Sequence, residues 1–204
     1  CQEDFPHRNH YSEQSFQEEL TDNYRVFLAN NYRDIEGEKG IITGTYRLHN
    51  SLYIHTEEAL WHLPQNYQER VTGDIVSFLG TGSYFETPPR RVMDSDIPAA
   101  GTNFPTGVIK TEHGIMYPSS EDGQIYFFNG KEVGAITTNN YNWFKNNMSL
   151  LAREQYYASN QREFPFFNNP SNPAGTGYIS TYDSRKERLI LTKKDFSLPQ
   201  TLID

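Results

Sequence analysis

The chain holds one cysteine, Cys1, in 204 residues. A lone thiol cannot close an internal disulfide, so stability must come from packing or assembly. Long apolar runs are also missing. None approaches the ~18 residues that a membrane span needs, and no membrane insertion is expected. The opening stretch is polar and lacks the pattern of a signal peptide. Basic residues are few: 18 Lys and Arg against 26 Asp and Glu give a net charge of −8. Gripping a nucleic-acid backbone takes clustered Lys and Arg. The clusters present (Arg90-Arg91, Arg185-Lys186, Arg188, Lys193-Lys194) are short and read as solvated turns. An initiator methionine is absent, and the chain is read as a piece of a longer polypeptide.

Aromatic residues are what the chain has in quantity. They make up 14%, with 14 Tyr and 13 Phe, while hydrophobic content is 36% and mean hydropathy −0.74. Disordered chains are poor in aromatics. Rings bury much area per residue, and Tyr keeps a hydroxyl for water or a partner. The mixture predicts a sheet protein with many loops and with surfaces suited to subunit contact.

Residues 1–40 read as an irregular N-terminal segment and residues 41–204 as a mainly β domain. Within the first, Ser12 to Leu20 could form a short helix capped by Ser12, and the apolar stretch Tyr24 to Tyr32 is expected on a core. Gly37-Glu38-Lys39-Gly40 is a turn. Strand periodicity starts at Ile41 and runs to Leu48. Residues 64–106 contain many breakers and predict one strand, Asp74 to Leu79, within a long ordered loop. Strands are expected over Gly107 to Thr111, Ile115 to Ser119 and Gln124 to Asn129, with a fourth at Val133 to Thr137, and turns at Gly114 and Gly123. One main helix is expected at about 140–158. Asn139 or Asn140 would cap it, with Phe144, Met148 and Leu151 on one face and Trp143 in the core. A loop rich in Pro and Asn follows, then a last hairpin and a tail from Leu198.

Three hairpins share a pattern. They start at Leu52, Ile115 and Tyr178, each 63 residues after the one before. The first turns at Glu57-Glu58, the second at Glu121-Asp122-Gly123, and the third over Asp183 to Glu187. Antiparallel hairpin units that recur at a fixed interval bury their apolar faces against neighbours.

Signatures of chemistry are scarce. Gly80-Thr81-Gly82 lacks a third glycine and a following helix, and no phosphate-loop lysine exists. Of the six histidines, only His55 and His62 could face each other, on the arms of one hairpin. None has the helical spacing or Cys partner that zinc prefers, so histidine reads as a polar strand or turn residue. Asp94 and Asp96 could bind calcium, but Pro98 interrupts the loop pattern an EF-hand requires. No Gly-x-Ser-x-Gly elbow is present, and Cys1 is isolated. Asn147-Met148-Ser149 fits a glycosylation sequon but falls within the expected helix. No residue is assigned a catalytic, cofactor-binding or metal-binding role, and no enzyme activity is expected.

An ordered series of segments carries a resemblance. It runs Asp4-Phe5-Pro6-His7-Arg8, Thr21 to Tyr32 with Phe27 to Tyr32 at its heart, Gly40-Ile41-Ile42-Thr43 on to Glu57, and Leu79 to Phe85 with Pro88-Pro89. It continues through Thr111-Glu112-His113-Gly114, Gly123-Gln124-Ile125-Tyr126, and Gly177-Tyr178 through to Phe196. This order resembles the tail stabilisation or muzzle (nozzle-type) proteins of short-tailed bacteriophages, above all the crAss-like phages. Two segments depart from the family pattern, Ala99 to Phe104 and Ile115 to Pro118, which marks a divergent member. The resemblance implies β-propeller-like sheets and a structural place in the virion tail, in the conduit through which the genome leaves. It also implies partners: other copies of the chain in a ring, neighbouring tail proteins, and DNA that passes without specific binding. The acidic charge suits a wall that repels the DNA backbone. The competing readings are a carbohydrate- or receptor-binding module using Trp61 or Trp143 as a platform, and a cell-wall hydrolase with unrecognised carboxylates.

Overall fold

The computed structural model describes residues 4–15, 22–64, 67–72, 75–79, 84–85, 87–93, 100–119, 122–148 and 177–194. Their fold is mainly β, and every strand pair among them is antiparallel. A first four-stranded sheet has the order β3 (Ile42–Leu48), β4 (Ser51–Thr56), β5 (Leu60–Leu63) and β8 (Arg90–Arg91). Between its last two members lies a separate hairpin, β6 (Tyr67–Thr72) with β7 (Ile75–Leu79). A second sheet runs β9 (Ile109–Lys110), β10 (Ile115–Pro118), β11 (Ile125–Phe128), β12 (Val133–Ala135). Both four-stranded sheets are therefore meanders, with spatial order following chain order. The remaining elements are a ribbon of β13 (Gly177–Asp183) and β14 (Arg188–Lys194), an N-terminal ribbon of β1 (Arg8–His10) and β2 (Tyr32–Asp34), and helix α1 (Tyr141–Met148).

The 63-residue interval is visible in the turns as well as in the hairpin starts. Leu48 pairs with Ser51 across the β3–β4 turn, whose His49 takes the left-handed φ of 52°. Thr111 and Gly114 close the β9–β10 turn through a 2.8 Å bond from the Thr111 amide to the Gly114 carbonyl. There the Thr111 hydroxyl accepts the His113 and Gly114 amides, each at 3.2 Å, a local bond that pins a two-residue turn. The register slips at the following turn. Thr56 closes on Ala59, whereas Ser119 closes on Gln124, a loop two residues longer.

Strand alternation sorts side chains onto two faces. On the first sheet Ile54, Trp61 and Leu63 pack with Ile35, and with Leu52, Ile42, Tyr84 and Phe85 around them. The opposite face supplies Leu48, Tyr53 and Leu60, which meet Ile115, Tyr117, Tyr126 and Phe128 of the second sheet. The ribbon β13–β14 follows the second sheet. Its Tyr178 packs with Phe104, its Ser180 hydroxyl donates to the Gly107 carbonyl at 2.6 Å, and Thr106 donates to the Tyr178 carbonyl at 2.6 Å. Thr102 ties the first two sheets together. Its amide donates to the Thr56 carbonyl at 3.2 Å and its hydroxyl to the Pro118 carbonyl at 2.7 Å.

Several sequence expectations need correction. The segment 1–40 contains the β1–β2 ribbon and sends Ile35 into the core of the first sheet. Ser12 to Ser15 are not helical, and the Glu13 amide bonds the Val26 carbonyl at 2.8 Å; the rest of that expected helix lies outside the described residues. The stretch Tyr24 to Tyr32 does not lie on a core: Tyr24, Val26, Phe27, Leu28 and Tyr32 are all exposed. The reading of 64–106 as one strand in a long loop missed β6 and β8, where polar and charged residues (Tyr67 to Thr72, Arg90-Arg91) weaken the strand signal. Helix α1 begins at Tyr141, after a 3-10 turn over Thr138–Asn140 that contains both expected caps; 149–158 lie outside the described residues. Trp143 is 58% exposed rather than in the core. Among the described residues the sheets do not close into a barrel.

Candidate functional site

The most concentrated chemistry lies in the seam between the two four-stranded sheets. Each sheet contributes aromatic side chains from the same parity of its strands. Tyr53 meets Phe128 edge-on at 4.9 Å between ring centroids, His55 meets Tyr117 at 4.5 Å and Tyr46 at 5.3 Å, and His62 stacks on Tyr53 at 5.0 Å. Edge-to-face and offset pairs of this kind add to area burial.

His55 is fully buried in this seam, and neither ring nitrogen has a hydrogen-bond partner among the described residues. Burial alone pushes its pKa down to about 3. His62 is lowered too, by partial burial and by the Arg90 guanidinium. The two histidines lie on one face of the hairpin but not opposite each other, since His62 pairs with Tyr53 and His55 with Leu60. Burial raises the Tyr46 hydroxyl to about 12 and moves those of Tyr53 and Tyr117 upward. The Tyr126 hydroxyl, raised chiefly by burial and then by its Asp122 partner, donates to Asp122 Oδ2 at 2.5 Å. Asp122 also accepts the Gln124 amide at 3.0 Å, so this carboxylate shapes the β10–β11 turn. These groups sit in the protonation states that pack well, and no metal-ligating cluster of three occurs among the described residues.

A second feature lies on the N-terminal ribbon. Arg8 forms a two-pronged pair with Asp34, Nε to Oδ1 at 2.7 Å and the second contact at 2.8 Å. Its guanidinium is held between the rings of Phe5, at 4.2 Å, and Tyr32, at 3.7 Å. The bond from Arg8 holds Asp34 below the usual carboxylate range. An open groove of about 250 Å³ runs beside this pair, lined by Phe5, Pro6, His7 and Ile35 among others. Arg33 donates to the Phe85 carbonyl, and Tyr11 stacks on Phe85 at 4.1 Å, fastening the ribbon to the first sheet. Nothing in the sequence pairs Arg8 with a carboxylate 26 residues away; only the ribbon's register, Arg8 opposite Asp34, brings them together.

The sequence motifs scatter. Gly80-Thr81-Gly82, Asp94, Asp96 and Cys1 lie outside the described residues, as does Ser149 of the sequon. His113 sits in the β9–β10 turn beside Glu112, at 3.5 Å. Trp61 is buried, whereas Trp143 and Tyr141 are exposed on α1. No helix among the described residues is long and apolar enough to cross a membrane. In comparison with known proteins, the chain matches no family model and no curated sequence.

Proposed function

We propose that the chain is a structural component of a short-tailed phage virion, a subunit of the muzzle or nozzle through which the genome leaves. The observation that carries this reading is the layered arrangement of two meanders and a ribbon whose hairpins start 63 residues apart. The first sheet turns one face to Ile35 of the N-terminal segment and the other to the second sheet, and the ribbon follows on the Pro105–Gly107 turn, a succession of hairpin units that suits propeller-like construction. The ordered motif series from Asp4 to Phe196 supports the same reading, as does the net charge of −8, which favours sliding of DNA over capture. Ring partners, neighbouring tail proteins and passing DNA belong to this proposal. Mass spectrometry of purified particles from the phage that encodes the chain tests it. Peptides of this chain at a fixed copy number per particle are expected, and their absence from intact virions would overturn it.

One observation favours a second reading. Trp143 is 58% exposed on α1, a ring able to stack on a sugar. A glycan array distinguishes the two readings: binding that Trp143→Ala abolishes would favour a carbohydrate-recognition module.

A further inference from the structure

Asn129-Gly130 is the single Asn-Gly step in the sequence. It forms the turn between β11 and β12, where Phe128 pairs with Val133 and the Asn129 amide donates to the Glu132 carbonyl at 3.3 Å. Asn129 is exposed to water. Its side-chain Oδ1 accepts two backbone amides, from Lys131 at 2.8 Å and from Glu132 at 2.9 Å. Such bonds shape a turn, but here they also polarise a carboxamide directly beside a glycine nitrogen. Gly130 has no β-carbon to shield that nitrogen, and it takes a φ of 98°, where other residues are strained. Its amide makes no hydrogen bond among the described residues. A β-carbon at Gly130 would stand 3.8 Å from His49 Nδ1 and 3.7 Å from a Leu48 methyl carbon. The β3–β4 turn of the first sheet thus brings an exposed imidazole against the Asn-Gly step of the second.

We propose that Asn129 is a self-modification site, at which the turn converts a carboxamide to aspartate and isoaspartate with water as the only co-reactant. The Gly130 nitrogen bonds to Asn129 Cγ while its proton passes to the His49 imidazole, which acts as general base. Charge that builds on Oδ1 falls between the Lys131 and Glu132 amides, donors already in place for it. The Cγ–Nδ2 bond then breaks, and Nδ2 takes the proton from His49 and leaves as ammonia. A cyclic imide remains. Water opens this ring at Cγ to give aspartate, or at the backbone carbonyl to give isoaspartate. One water enters, one ammonia leaves, and nothing is oxidised. Isoaspartate adds a carbon to the backbone of the turn, which loosens the Phe128–Val133 end of β12, the outer strand of its sheet. Asp122-Gly123 offers a contrast within the same chain. Gly123 also has a left-handed φ, of 70°, and Asp122 accepts the Gln124 amide at 3.0 Å, but a carboxylate has no amine to expel and resists attack. This chemistry is independent of any place in a virion.

The test incubates the full folded chain at neutral pH in water enriched in heavy oxygen, beside a sample unfolded in guanidinium chloride. Peptide mapping by mass spectrometry reads the label at Asn129, and methylation by protein isoaspartate methyltransferase reads isoaspartate. Label at Asn129 is expected several-fold faster in the folded chain than in the unfolded one, with both products present and Asp122 lagging behind. His49→Gly removes the imidazole and suits the left-handed φ of 52° in that turn; far-UV circular dichroism checks that the variant is folded. In this variant the folded-chain rate should drop several-fold toward the unfolded-chain rate, which itself should not change. A folded-chain rate at or below that of the unfolded chain would mean that the two amides shield Asn129, and would overturn the site. A folded-chain rate that His49→Gly leaves unchanged would overturn the role of the imidazole and with it the proposed reaction.

Discussion

His55 enters the core with two ring nitrogens that have no partner among the described residues, and this makes folding sensitive to acid. An unfolded histidine titrates near 6.5, whereas burial sets His55 at about 3. Between those values the unfolded chain holds the proton and the folded chain does not, so unfolding takes up a proton. The stability that His55 contributes is therefore complete above pH 6.5 and is lost as pH falls toward 3, at up to about 1.4 kcal/mol per unit. Denaturant titrations from neutral to acid pH should show that slope. His55→Leu should flatten it and raise neutral-pH stability by on the order of 1 kcal/mol, since a buried unpaired polar group is removed. An unchanged acid slope in the variant would place the sensitivity elsewhere. Composition could not have marked this histidine. His55 and His62 look alike in the sequence, and only the second sheet closing over one of them makes the difference.

Hairpin elements were the most legible feature, because a period-2 pattern bounded by turn residues is a local property. All three expected hairpins pair as read, with Ile54 opposite Trp61, Tyr117 opposite Tyr126, and Tyr182 opposite Leu189. The third turn contains a strained position. Glu187 takes a left-handed φ of 50°, where a β-carbon crowds the backbone. Glu187→Gly should therefore leave stability unchanged or raise it by up to about 1 kcal/mol, measured by thermal melting, despite the entropy that glycine brings to the unfolded chain. The N-terminal ribbon was not legible. Its strands are three residues each and 21 residues separate them, so pairing is a long-range event. A double-mutant cycle on Arg8→Ala and Asp34→Ala should give a coupling of about 0.5–1 kcal/mol that shrinks with added salt. The pair is half open to water, which limits its size.

At the scale of the molecule, the seam between the meanders holds the described layers as one packed unit. Phe128 is 1% exposed and lies edge-on to Tyr53 across the seam. Phe128→Ala should cost about 3–5 kcal/mol. The circular dichroism and tryptophan fluorescence transitions should shift together, since buried Trp61 reports on the first sheet while Phe128 belongs to the second. Separate transitions would mean that the sheets fold independently.

The sequence by itself determined the β class, the hairpins, most turns and the interval between units, because alternation and turn chemistry act over neighbouring residues. Tertiary structure decided which apolar residues are covered. Tyr24 to Leu28 and Trp143 have the side chains of a core yet stand in water, whereas His55, a polar residue by type, is sealed between sheets. Hydrophobicity tells a residue what it gains by burial, but only the packing of distant layers determines whether a surface is there to bury it.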